Sequence, residues 1–127
     1  VLLERALHIE VIVLATVFAA FVAVLHVGFM VLESLLWTQP MGRKIFRMSA
    51  EKAETTKVLA SNQGAYNGML AVGIAWALLV GNGPALAFLL FFVVIVGIYG
   101  ALTVSPTIFV VQALPAIIAL GLMRAGL

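Results

Sequence analysis

Two stretches of this chain carry almost no charge. Residues 11–32 form a run of 22 with a single histidine, and residues 58–123 form a run of 66 with no Asp, Glu, Lys, Arg or His. About 20 apolar residues cross ~30 Å of hydrocarbon as a helix, so the first run has the length of one span and the second that of three. The long run is punctuated where three helices need it. Gly81-Asn82-Gly83-Pro84 is a turn cluster, and Ser105-Pro106 is a second break. The pattern predicts helices over about residues 7–37, 50–80, 84–104 and 107–124. Tight later turns then give an all-α fold, a membrane-spanning antiparallel four-helix bundle making one domain of residues 1–127. The first apolar stretch exceeds the 7–15 residues of a signal-peptide core, so it reads as a span.

The remaining polar segment, residues 38–57, holds Arg43, Lys44, Arg47, Lys52 and Lys57 beside Glu51 and Glu54, which is five of the seven basic residues. The later turns carry none. The positive-inside rule places this segment in the cytoplasm and both termini outside, an N-out and C-out topology. Ser49 is positioned to cap the second helix, with Glu51 and Glu54 complementing its dipole. Trp37, Phe46 and Trp76 suit interfacial anchoring. Arg43, Lys44 and Arg47 interleave with Ile45, Phe46 and Met48, so membrane lipids with anionic headgroups are the expected partners of this segment.

Composition agrees: 65% of residues are apolar and 9% charged, which excludes a soluble globule. Without cysteine there are no disulfides, iron–sulfur clusters or thiolate zinc sites. The net charge of +2 does not call for nucleic acid as a partner.

Polar side chains in the predicted spans gather in the cytoplasmic half. Measured from the inner edge at 1.5 Å per residue, Glu33, Gln63, Tyr99 and Gln112 lie ~6–8 Å deep, Asn67 ~14 Å and His26 ~17 Å. His26, Met30, Glu33 and Trp37 follow helical spacing, so His26 and Glu33 share a face. On the second helix Gln63 and Asn67, and Asn62 and Tyr66, are four apart and make a broad polar face. Each also has a plainer reading. Asn, Gln, Tyr and Thr often only hold membrane helices together, Glu33 can snorkel or pair with Arg43 or Lys44, and Gln112 can serve a carbonyl freed near Pro115. Ala60, Gly64 and Gly68 form a small-residue ridge suited to close packing within the chain. His8 and Glu10 read as surface residues. With one His and one Glu in the inner site, zinc, di-iron and bis-His haem centres lack ligands, and no cofactor or metal is expected.

At these residues the chain resembles a known family. The segments LHVGFMVLESLLWTQPMGRKIF (residues 25–46), ETTKVLASNQGAYNGMLAVGIAWALL (54–79), GIYGALTV (97–104) and VVQALPAIIAL (110–120) look like the bacterial four-helix membrane family catalogued as number 1304 among the domains of unknown function. The resemblance covers nearly the whole chain. It implies a four-helix integral membrane protein, here placed in the bacterial inner membrane, and carries no residue roles with it.

Three functions compete. The first is binding or transforming a lipophilic small molecule in a pocket of the cytoplasmic half, with Glu33 and His26 as acid and base and with Gln63, Asn67, Asn62, Tyr66, Tyr99 and Gln112 orienting a polar head. The second is an accessory subunit of a homo-oligomer or larger membrane complex, its polar groups fixing the bundle. The third is a small multidrug-type proton-coupled transporter, which the strong charge bias and the shallow Glu33 disfavour.

Overall fold

A computed structural model describes residues 1–126. The fold is all-α: α1 (Leu2–Ser34), α2 (Pro40–Ile45), α3 (Ala50–Leu79), α4 (Gly83–Thr103) and α5 (Leu114–Ala125), with a π-helical turn, Phe109–Ala113, leading into α5. α1 and α4 are both long and apolar enough to cross a membrane, and Phe109–Ala125 is a shorter apolar stretch.

Three elements depart from the expected boundaries. α1 stops at Ser34, not Trp37, because the amide of Leu36 reaches back to the Val31 carbonyl and the next segment runs into Pro40. A residue before proline is driven to extended backbone, and Gln39 adopts it at φ −77°, ψ 158°. Pro40 then opens α2, whose missing N–H costs nothing at a helix start. The last helix is not uniform either. Pro115 has no N–H and its ring would strike the carbonyl one α-turn back, and the preceding turn is widened so that Leu114 N–H donates to Phe109 O.

Other signals act as expected. Ser49 Oγ accepts from the Lys52 amide at 3.1 Å, and Asn82 Oδ1 from the Ala85 amide at 3.0 Å, so each caps the helix that follows. Gly81 takes the left-handed conformation, φ 67°, that the tight turn between α3 and α4 requires.

Packing divides the chain into two units, one comprising Val1–Ala23 with the chain from Gly73 onward, the other Val24–Val72. In the first, α4 and α5 run antiparallel in close contact. A Cβ on Gly97 would meet Ala113 at 2.9 Å, and one on Gly100 would meet Ile108 at 3.0 Å. In the second, the end of α1 lies antiparallel to α3. Buried positions are mostly small: among the described residues, ten of the fifteen that make the hydrophobic core are alanine, whereas Phe21, Phe88, Phe91 and Phe92 are exposed. None of the eight phenylalanines is fully buried.

Candidate functional site

The polar residues of the second unit are organised by two glycines. A Cβ on Gly64 would collide with the Ser34 hydroxyl, and one on Gly68 would meet Met30 Sδ at 2.5 Å. Their absence lets the α3 backbone approach α1 closely enough for short side chains to bridge the pair. Asn67 Nδ2 donates to Glu33 Oε2 at 2.8 Å, and Ser34 Oγ to the Ser61 carbonyl at 3.3 Å. Trp37 Nε1 donates to Thr56 Oγ1 at 3.0 Å, and Thr56 in turn donates to the Lys52 carbonyl at 2.7 Å. Three successive polar bridges therefore join the end of α1 and the turn after it to α3.

Beside them runs an open groove of about 620 Å³, bordered by Glu33, Ser34, Trp37, Lys57, Ser61 and Asn62. Glu33 is half-buried, and neither Arg43 nor Lys44 forms an ion pair with it among the described residues. Lys57 is engaged by Glu54 one turn earlier. The groove thus presents a carboxylate anchored by one amide, with hydroxyl and amide groups and the Trp37 indole around it. Such a surface can orient a polar head and exchange a proton with it.

The other expected site residues are distributed differently. His26 is fully buried, its ring edge-on to Phe29 with centroids 5.2 Å apart. Seven residues of helix separate it from Glu33, ~10 Å of rise, beyond direct hydrogen bonding. Asn62 borders the groove, but Gln63 and Tyr66 lie on exposed surface of α3. The buried face of α3 is set by Ala53, Ala60, Gly64 and Ala71, and Gln63 and Tyr66 fall outside that stripe. Tyr99 is 69% exposed on α4 and Gln112 is half-buried in the π-helical turn, both in the other unit. Ser34, Ser61 and Thr56 were not among the expected residues. Only their proximity to Glu33, Asn62 and the basic segment hinted at a role, since lone Ser and Thr are common in helices of any function. His8 lines a shallow surface depression of about 340 Å³ with Glu4 and Arg5. Among the described residues no three His, Asp or Glu side chains converge in a way that could hold a metal.

The basic segment is a built element as well. Gly42 is buried, and a Cβ there would strike the backbone carbonyl of Leu36, so α2 lies directly on the turn that follows α1. Phe46 packs on Trp37 with ring centroids 4.7 Å apart. Arg47 turns the chain toward α3 with φ 52°, a left-handed conformation unusual for a residue with a Cβ.

A family model described as a protein of unknown function (DUF1304) matches residues 20–124, which span the Glu33 groove and the basic segment. The chain belongs to this family. It is similar to the uncharacterized protein YpaA of Lactococcus lactis subsp. lactis (strain IL1403), with 30% identity over 112 residues, 85% of this chain and 94% of that protein. No solved structure matches the chain.

Proposed function

We propose that this protein spans the bacterial inner membrane through α1, α3, α4 and the Phe109–Ala125 stretch as a four-helix bundle, and binds or transforms a lipophilic small molecule in the groove at Glu33. The membrane reading is supported by the inverted burial, with alanine inside and large apolar side chains such as Phe88, Phe91, Phe92 and Leu102 outside. In water that much exposed apolar surface drives aggregation, whereas in lipid it costs nothing and small residues favour helix contact.

The observation that carries the functional reading is Glu33. A carboxylate near the end of an apolar helix is expensive, and an amide in its place would hold α3 through the same Asn67 contact at lower desolvation cost. Its charge or its proton is therefore the feature that needs explaining. In this reading Glu33 pairs with, or exchanges a proton with, the head of an amphiphile whose apolar part lies along Val58 and Ala65. Ser34, Ser61 and Asn62 supply the further hydrogen bonds.

The test is mass spectrometry of small molecules and lipids that co-purify with the wild type, Glu33→Gln and Asn67→Leu proteins from gentle detergent. Loss of a bound molecule in folded Glu33→Gln is the expected result. Identical extracts from all three would instead favour an accessory-subunit role. One observation points that way, since the polar bridges satisfy each other across α1 and α3. The proton-coupled transporter reading would be favoured by a pH gradient driving uptake that Glu33→Gln abolishes.

A further inference from the structure

We infer that Arg43 is a phosphate-binding residue for an anionic phospholipid of the leaflet that contacts α2. The inference rests on the membrane-spanning reading but not on the ligand assigned to Glu33. Its starting point is an unsatisfied donor. Arg43 Nε is buried and has no hydrogen-bond partner among the described residues. Native structures rarely leave such a group unpaired; Nε itself is enclosed by protein, so it is the Nη groups of the same guanidinium that are left for a planar or tetrahedral oxyanion.

The surroundings select the kind of anion. Among the described residues the ion pairs are Val1–Glu4 and Lys57–Glu54, so Arg43, Lys44 and Arg47 carry three positive charges that no carboxylate neutralises. Beside them Met41, Ile45 and Phe46 are exposed, at 60, 52 and 38%. Positive charge interleaved with exposed apolar side chains matches the phosphate and acyl boundary of a lipid leaflet, and a soluble phosphate has no use for the apolar part.

The segment is also held rigidly enough to be selective. Gly42 seats α2 on the Leu36 carbonyl, and Phe46 packs on Trp37, whose indole is tied to Thr56. Arg43 is therefore held half-buried on a braced platform, while Lys44 and Arg47 are exposed and act as a general attraction. A guanidinium offers two parallel N–H groups to one phosphate, which an ammonium cannot. Charge alone then does not reproduce the site.

The experiment reconstitutes the protein in nanodiscs of phosphatidylcholine containing roughly one-fifth phosphatidylglycerol as the anionic probe lipid. Lipids retained on extraction into detergent are counted by native mass spectrometry for the wild type, Arg43→Lys, Arg43→Gln and Lys44→Arg. Expected is preferential phosphatidylglycerol retention that Lys44→Arg preserves and that both Arg43 variants lower about tenfold, as for loss of one charge-assisted bond. Arg43→Lys guards against a trivial charge effect. Equal retention by wild type and Arg43→Lys, or displacement of the lipid by millimolar inorganic phosphate, overturns the proposal. A protein that carbonate extracts from native membranes would overturn the membrane reading instead, and circular dichroism on each variant separates lost binding from lost fold.

Discussion

A carboxylate held by a single amide responds differently to losing its charge and to losing its partner. Glu33→Gln keeps an oxygen able to accept from Asn67 Nδ2, so the contact between α1 and α3 persists. Thermal stability in detergent should then change by less than about 0.5 kcal/mol, as for substitutions that leave no buried group unpaired. Asn67→Leu removes the donor and leaves the half-buried carboxylate unbonded, a loss of about 1–3 kcal/mol. Melting curves of the two variants decide the matter, and equal destabilisation would show that the charge itself holds the fold. Glu33 was legible in the sequence because few other polar groups interrupt its apolar segment, whereas Asn67 stands among several polar groups on α3. Gln63 and Tyr66 were not separable from it. Their spacing marks a polar face, but only the positions of Gly64 and Ala60 show which edge of that face meets α1.

At the scale of elements, hydropathy runs and breakers locate the long helices, and they fail where the backbone changes geometry without changing hydropathy. Trp37 fits the helical face of α1 by spacing, yet it stands beyond the helix, where its indole bridges to Thr56. The π-helical turn is equally silent in composition. By adding a residue to one turn it rotates what precedes it by about 100° relative to a regular helix, so the facing of Gln112 could not be counted from α5. These junctions are where substitutions should tell most. Trp37→Phe keeps an aromatic ring beside Phe46 but loses the Thr56 bond and part of the indole's packing, for a predicted cost of about 1–2 kcal/mol. Gly97→Val forces α4 away from the Ala113 backbone and should cost about 1–3 kcal/mol. Chemical or thermal unfolding in a fixed detergent measures both. A Gly97→Val protein as stable as the wild type would mean that the close α4–α5 approach contributes nothing.

At the scale of the whole molecule, the asymmetry of charge makes one prediction on which the cytoplasmic placement of the groove depends. Five basic residues cluster in the segment containing α2, whereas the turn between α3 and α4 has no charge at all. Side preference in short loops follows Lys and Arg, so the α2 segment should face the cytoplasm and the Gly81–Gly83 turn the outside. The chain has no cysteine, so a single introduced thiol reports its own position without background. The choice of position follows from packing. Gly42 cannot serve, since any side chain there collides with the Leu36 carbonyl, whereas Met41 is exposed and a Cβ on Gly83 meets open space. In intact cells a membrane-impermeant maleimide should label Gly83→Cys at once and Met41→Cys only after the membrane is permeabilised. Labelling of Met41→Cys from outside would invert the topology. The basic segment would then meet the opposite leaflet, and the groove at Glu33 would open away from the cytoplasm. Equal labelling of both sites in intact cells would signify insertion in two orientations, which would revive the small-multidrug-type transporter reading that the charge bias argues against.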